Sequence, residues 1–268
     1  SKLMMKYLIT NKPLKHINFP DFKKGLSQIV KNNISIYHDS ANLIEFDETI
    51  AFIQGYVFDF FEDEKNYKDR EASALREILK NWPLAENITG SFSITIIDKT
   101  VIRICNDCIG VYPLYYYINE ETFIISPNIY WIAYALDNAS IDKVGIVQKL
   151  LGKENATIGS RTILKGVKRL LPGELIHIDN SPPNISISKF YDNTLFNVNE
   201  NFDLSKGGLD DYWKFYSKEI HALLSKSPKS FLATSGGMDS RILLGAVPEN
   251  TNLTCLTYGH RGDYEVEV

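Results

Sequence analysis

The string Ser235-Gly236-Gly237-Met238-Asp239-Ser240 has residue types and spacing that suit chemistry on an anion. A phosphate is held by backbone N–H groups that converge on it. Gly236 and Gly237 carry no Cβ, so the chain can turn and approach a ligand closely. The run from Ser230 to Thr234 reads as a short apolar strand, and Arg241 to Val247 reads as a helix. The N-terminus of that helix adds unpaired N–H donors and a partial positive charge. Ser235 and Ser240 offer hydroxyl donors to phosphate oxygens. Asp239 suits a Mg²⁺ ion that bridges phosphates rather than a bare phosphate. Arg241 either neutralises phosphate charge or is a solvated helix residue. The pattern G-x-x-x-x-G-K-[ST] is absent, so this is not a Walker loop. The bland alternative is a plain strand-to-helix turn, where Gly and Ser are common.

Leu253 to Tyr258 reads as a second strand, which makes a βαβ unit with its Gly-rich turn at the carboxyl end of the first strand. Open α/β sheets bind ligands there. Upstream, Leu209, Tyr212, Trp213, Tyr216, Ile220, Leu223 and Leu224 recur at helical spacing, and Asp210 and Asp211 favour the dipole of the first turn. This aromatic stripe reads as core. Two polar, Asn-rich stretches, residues 180–184 and 193–208, read as linker and place a domain boundary near residue 200. Before it the chain is strand-rich: Tyr7 to Thr10, Leu43 to Phe46, Thr49 to Ile53, Phe92 to Ile97, Val101 to Cys105, Tyr112 to Ile118, Thr122 to Ile125 and Glu174 to Asp179. A helix spans Lys68 to Lys80 with Ala72, Leu75, Ile78 and Leu79 on one face, and Asn81-Trp82-Pro83 ends it. A second helix runs to Leu151, capped by Ser140 and stopped by Gly152. Strands bracketing a few helices indicate layered α+β packing.

The 268 residues suffice for two ordinary domains, and a hydrophobic content of 44% can bury a sizeable core. The formal net charge of -4 and the lack of any basic run exclude a nucleic-acid groove as the main site. No apolar run is long enough to span a membrane, and the first residues are too polar for a secretory signal. Cys105, Cys108 and Cys255 suit a reducing, cytoplasmic setting better than a disulfide framework. Cys105-Asn106-Asp107-Cys108 is formally a C-x-x-C, yet it has no second pair or His cluster for zinc and no helix start for thioredoxin chemistry. The five histidines show no ligand spacing.

The complete Ser-Gly-Gly-Met-Asp-Ser string, between an apolar strand and an apolar helix, resembles the PP-loop of the ATP pyrophosphatases, which cleave ATP between the α and β phosphates. The resemblance implies ATP and Mg²⁺ as cofactors. It assigns Ser235, Gly236, Gly237, Asp239 and Ser240 to the phosphates, Asp239 to the metal, and Tyr258-Gly259 to the adenylate. The upstream residues narrow the family. Gly90-Ser91-Phe92-Ser93, Asp98, Asn106-Asp107-Cys108-Ile109-Gly110 and Pro113-Leu114-Tyr115-Tyr116 resemble the second half of the glutaminase domain of asparagine synthetases. Asn106 stands where that pattern has Arg. Thr162-Ile163-Leu164-Lys165-Gly166-Val167 and Leu170-Leu171-Pro172-Gly173-Glu174 resemble the segment leading into the synthetase domain. The three motifs occur in family order over residues 50–268.

This resemblance implies a four-layer αββα sandwich of N-terminal nucleophile-hydrolase type over residues 1–200. Residues 201–268 are then the beginning of an adenylating α/β PP-loop domain of the adenine-nucleotide alpha-hydrolase kind. The family activates a carboxylate with Mg-ATP to an acyl-adenylate, which ammonia converts to an amide. Two departures qualify that expectation. Glutamine hydrolysis in the family uses an N-terminal cysteine. Here the strand is preceded by Met4-Met5-Lys6, no cysteine comes before Cys105, and the oxyanion-loop segment reads Gln54-Gly55. Glutaminase function is therefore expected to be lost, as in relatives that use another amine, such as β-lactam synthetases and lasso-peptide cyclases. The chain also stops at Glu265-Val266-Glu267-Val268, so the acceptor pocket is expected to lie elsewhere, and no catalytic residue is assigned. Family habit and apolar surface at that end point to a homodimer. Two classes of function stay open: an ATP-dependent, amide-forming ligase or a piece of one, and a non-catalytic nucleotide-binding or scaffold protein. A PP-loop tRNA-modifying enzyme would want a basic surface that is not present.

Overall fold

A computed structural model describes residues 7–12, 14, 26–31, 33–39, 43–59, 67–80, 82, 88–99, 101–152, 156–180, 183–190, 208–225, 228–257 and 259. The chain divides into two compact units. The first comprises Ser1–Val57, Asn81–Leu84 and Ser91–Leu195; the second comprises Phe58–Lys80, Ala85–Gly90 and Phe196–Val268.

The elements of the first two-thirds are β1 (Tyr7–Thr10), β2 (Ser27–Lys31), β3 (Ile34–His38), β4 (Leu43–Phe46), β5 (Thr49–Asp59), α1 (Tyr67–Lys80), β6 (Ile88–Asp98), β7 (Val101–Asn106), β8 (Tyr115–Ile118), β9 (Phe123–Ser126), α2 (Ile129–Ala135), α3 (Lys143–Leu151), β10 (Val167–Arg169), β11 (Glu174–Asn180) and β12 (Pro183–Lys189). They build two six-stranded sheets, ordered β10-β8-β9-β1-β3-β2 and β12-β11-β7-β6-β5-β4. The pairings are antiparallel in every case for which a register is described, which is all but that of β5 with β6.

Period-two side-chain alternation explains how the layers stack. In β1, Tyr7 and Ile9 point one way and Leu8 the other; in β9, Phe123 and Ile125 oppose Ile124; in β3, Ile34 and Ile36 oppose Tyr37. The first member of each contrast joins Phe52, Ile97, Ile102, Ile104, Ile176 and Ile178 of the second sheet in one buried core. The two sheets therefore pack face to face, each buried isoleucine contributing about 1.5–3 kcal/mol. Leu8, Tyr37 and Ile124 meet Trp131, Ile132 and Ala135 of α2 on the outer face of the first sheet. Helix, sheet and sheet thus follow one another in layers.

Several expectations shift in detail. The buried stripe of α1 is Glu71, Ala74, Leu75 and Ile78 rather than one that includes Ala72 and Leu79. The helix ending at Leu151 starts at Lys143, and its N-cap is Asp142, not Ser140. The Asp142 carboxylate accepts the Gly145 N–H at 3.0 Å and pairs with Arg161 at 2.7 Å. A carboxylate with a cationic partner is a better cap than a hydroxyl two residues early. Tyr112 to Leu114 lie outside β8. The Asn- and Pro-rich stretch 180–184 read as linker instead joins the end of β11 to the start of β12, and these strands pair along seven residues. Of the second stretch read as linker, 193–208, residues 193–207 lie outside the described residues and Gly208 opens a helix.

The second unit carries α4 (Gly208–Leu224), β13 (Ser230–Ala233), α5 (Met238–Gly245) and β14 (Leu253–Leu256) after α1. β13 and β14 pair in parallel, so the strand–turn–helix–strand segment is a βαβ unit as expected. The aromatic stripe of α4 is not core: Tyr212 is 56% exposed and Trp213 41%. Trp213 packs on Gly245, and Tyr216 stacks on Trp213 with ring centroids 5.9 Å apart.

Candidate functional site

The Ser235–Ser240 loop leaves the carboxyl end of β13. There the two strands are held side by side: the Thr234 N–H donates to the Leu256 carbonyl at 2.9 Å, and the Thr234 and Thr257 hydroxyls lie 2.8 Å apart. Helix α5 begins at Met238, three residues earlier than the reading that started it at Arg241. Met238, Asp239 and Ser240 therefore form its first turn. The N-cap is Gly237, at φ -74 and ψ 157, and no side chain caps the helix. A side-chain cap such as Ser or Asp at that position would occupy the N–H groups; glycine leaves them to an external acceptor. Gly237 adopts an ordinary extended conformation, so its usefulness lies in the missing side chain. A Cβ there would come within 3.2 Å of the Ser235 hydroxyl.

Inside the loop the Ser240 hydroxyl, nearly buried, works as a staple. It accepts the Ser235 N–H at 3.1 Å, and the Ser235 and Gly237 carbonyls lie 3.1 and 3.3 Å from it. Its proton faces the loop's own carbonyls. Ser235 accepts the Gly237 N–H at 3.2 Å, and its side chain remains at the surface. Asp239 is exposed in the first turn of α5. Burial, followed by the Tyr212 hydroxyl and the Asp239 carboxylate, pushes the Tyr216 hydroxyl above its ordinary pKa. Gly259 follows β14. Tyr258 lies outside the described residues.

The first unit brings the other motifs together. Asp107, 4% exposed, accepts the Phe92 N–H at 2.7 Å with one oxygen, with the Ser91 hydroxyl 3.4 Å away. Its other oxygen accepts the Ile109 and Gly110 N–H groups at 2.6 Å each. One carboxylate thus closes the turn between β7 and β8 and ties it to β6. Leu170 to Glu174 lie against the same turn: the Gly173 N–H donates to the Asp107 carbonyl at 2.9 Å, the Leu170 N–H to the Leu114 carbonyl at 2.8 Å, and the Arg169 guanidinium to the Gly110 carbonyl at 3.1 Å. Asn106, standing where the resembled family has Arg, is fully buried and donates to the Leu170 carbonyl at 3.1 Å.

Gln54-Gly55 reach the same place from β5. The Gln54 amide donates to the Pro113 carbonyl at 3.3 Å, and Gly55 sits at φ 88 directly against Ser91 and Tyr112. The end of the intersheet layer next to Gln54 is polar, which the sequence reading missed. The Tyr7 hydroxyl lies 2.9 Å from Thr95, and its ring stacks on Phe52 at 4.4 Å. Burial raises the Tyr7 pKa, offset only in part by Thr95 and Gln54, so the phenol stays neutral. Alternation along β1, β3 and β6 carries the signal for these inward positions, but only once the sheet pairings are known. Tyr7→Phe should destabilise the fold by about 1–2 kcal/mol, because the buried Thr95 hydroxyl loses its partner. Chemical denaturation measures it, and an unchanged midpoint would contradict the contact.

Cys105 and Cys108 are poor nucleophiles. Burial, reinforced by the Asp107 charge, pushes Cys105 up to about 12, and burial also raises Cys108. Among the described residues no group of three or more His, Cys, Asp or Glu is placed to hold a metal ion, and no helix is long and apolar enough to cross a membrane.

Residues 75–191 match the family model of the glutamine amidotransferase domain. This stretch is thus similar to glutamine amidotransferase domains. The match begins in α1 and ends after β12, so it takes in the Asp107 turn and the Leu170–Glu174 segment. Gln54-Gly55 and the Ser235–Ser240 loop lie outside it. No curated protein matches the chain. Among solved structures the chain is similar to the glutamine phosphoribosylpyrophosphate amidotransferase from B. subtilis complexed with ADP and GMP, at 11% identity and a TM-score of 0.37, covering 85% of this chain and 52% of that one. It is similar to an allosteric regulatory enzyme of purine biosynthesis at 11% and 0.38, covering 95% and 59%. It is also similar to a class-II glutamine aminotransferase domain protein from Silicibacter pomeroyi at 10% and 0.34, covering 69% and 92%. The chain spans between half and three-fifths of the first two proteins.

Proposed function

We propose that this chain couples a glutaminase-like domain over residues 1–200, of the four-layer αββα N-terminal nucleophile-hydrolase type, to the beginning of a PP-loop ATP-binding domain over residues 201–268, as in asparagine synthetases. Its reaction class is ATP-dependent formation of an amide: adenylation of a carboxylate with release of pyrophosphate, then attack by ammonia or another amine. The observation that carries this reading is the Ser-Gly-Gly-Met-Asp-Ser loop at the carboxyl end of a parallel strand, in the same chain as an amidotransferase-type domain.

The loop suits the cofactor. Gly237 leaves the first N–H groups of α5 without a side-chain cap, which is what phosphate oxygens require, and exposed Asp239 stands beside them as the residue that would hold Mg²⁺. Ser235 would add a hydroxyl donor, Gly236 the close approach of the backbone, and Tyr258-Gly259 the adenylate contact. When bound, Mg-ATP supplies the activated phosphorus that converts a carboxylate into an acyl donor, with the metal offsetting charge on the pyrophosphate that leaves.

Glutamine hydrolysis is lost in this reading. The residues leading into β1 are Met4-Met5-Lys6, and Cys105 and Cys108 both have raised pKa values, so neither is a ready thiolate. Incubation with glutamine should release no glutamate above the buffer rate, whereas Mg-ATP, ammonia and a pool of carboxylates given to the longest available form of the protein should yield AMP and pyrophosphate. Glutamine turnover would sink the first half of the proposal. ATP bound without AMP would move the reading to a non-catalytic nucleotide-binding or scaffold protein.

A further inference from the structure

The polar end of the layer between the two sheets contains side chains whose hydrogen-bonding capacity the described protein atoms do not fill. Ser93 and Asn106 are directly opposed on β6 and β7. They point the same way as Thr95 and Ile104, and as Ile97 and Ile102, which lie two and four residues along the same pairing and face the other sheet. Both are fully buried, and neither the Ser93 hydroxyl oxygen nor the Asn106 Oδ1 has a hydrogen-bond partner. The orientation of the Asn106 amide is fixed, because its Nδ2 donates to the Leu170 carbonyl; the unmatched atom is therefore an acceptor.

An unmatched buried acceptor costs about 1–3 kcal/mol. Two such atoms on adjacent positions of one pairing are a larger cost than a well-ordered core carries without return. They do not bond to each other, although side chains directly opposed on an antiparallel pair are near neighbours. A water between them satisfies both: it donates one proton to Asn106 Oδ1 and exchanges a second hydrogen bond with the Ser93 hydroxyl, which can give or accept. The other residues at this end extend the polar surroundings. Thr95 and Tyr7 bond to each other, and Gln54 lies against Tyr7.

We propose that Ser93 and Asn106 hold one buried, long-lived water molecule that bridges β6 and β7 inside the sandwich. This water joins a connected chain. Ser93 belongs to the strand that receives Asp107, Asn106 holds Leu170, and Leu170 holds Leu114. It therefore braces the turn on which the amidotransferase-type domain converges, and it does so whether or not the domain hydrolyses glutamine.

The test uses the full chain and water itself as the probe. Water-oxygen magnetic relaxation dispersion counts waters that stay bound for longer than nanoseconds. The wild-type chain should show one more such water than the Ser93→Ala/Asn106→Leu variant. Should the double variant fail to fold, Ser93→Ala alone removes a single hydroxyl, and it should lower the dispersion amplitude by up to one water while leaving the circular dichroism unchanged. Equal amplitudes in the wild type and a folded variant would overturn the proposal.

Discussion

Replacing Gly55 by alanine is expected to destabilise the first unit by more than about 4 kcal/mol, and replacement by valine to prevent folding. Two independent costs add at this position. Gly55 has φ 88, a left-handed conformation that costs an L-residue about 1–2 kcal/mol. A Cβ built there would lie 2.0 Å from the Ser91 carbonyl oxygen and 2.4 Å from the Tyr112 ring. The oxygen is backbone of β6, inside a six-stranded sheet, and cannot withdraw as the tip of a flexible side chain can. The only relief is to part β5 from β6, which opens the core below Phe52 and Tyr7. Denaturant titration followed by circular dichroism gives the value. A loss below 1 kcal/mol for Gly55→Ala would mean that the close approach at Ser91 is not a feature of the folded protein.

The second large effect belongs to Asp107. Asp107→Ala should cost about 3–5 kcal/mol, since three backbone N–H groups and the Ser91 hydroxyl lose their acceptor at a site with little access to water. Asp107→Asn should recover only part of this: the amide nitrogen would turn a donor toward other donors. Glu should not recover more, because an extra methylene displaces the carboxylate from all four donors. Because the Asp107 carbonyl also receives the Gly173 N–H, the damage should spread to the Leu170–Glu174 segment and show as early hydrogen exchange there. Equal stability of wild type and Asp107→Ala would remove the carboxylate from its organising role.

These two residues also mark what a sequence discloses and what it withholds. Asp107-Cys108-Ile109-Gly110 and Gln54-Gly55 were picked out through their resemblance to the glutaminase domain of asparagine synthetases. Their convergence was not legible: it depends on β5, β6 and β7 being neighbours, a matter of pairing across tens of residues. The strands β1 and β4 to β9 could be read from β-branched and aromatic runs, whereas β2 and β3 passed unnoticed among polar neighbours. Helix α2 is short and aromatic, Ile-Tyr-Trp-Ile-Ala-Tyr-Ala, a composition that reads equally as strand. Its start is set by one side chain, Asn128, which accepts the Tyr130 N–H at 2.9 Å. Amphipathic spacing found α4 correctly, yet it could not tell that the stripe would stay exposed, because periodicity reports a face and not what covers it.

The strand–turn–helix course of the loop was legible in the sequence, and its internal hydrogen bonding was not. Residue types nominated Ser240 as a phosphate ligand, while the folded loop turns that hydroxyl inward on Ser235 and Gly237. At the start of α5, Gly237 leaves the first backbone N–H groups without a side-chain cap.

The most direct test of the account is a titration of the intact chain with ATP, with and without Mg²⁺, on the wild type and on Asp239→Ala. Saturable binding is expected that requires Mg²⁺ and weakens at least about tenfold in Asp239→Ala, with the circular dichroism spectrum unchanged, in keeping with loss of a contact worth about 1.4 kcal/mol or more. No binding by the wild type, or binding that is indifferent to both the metal and Asp239, would contradict it.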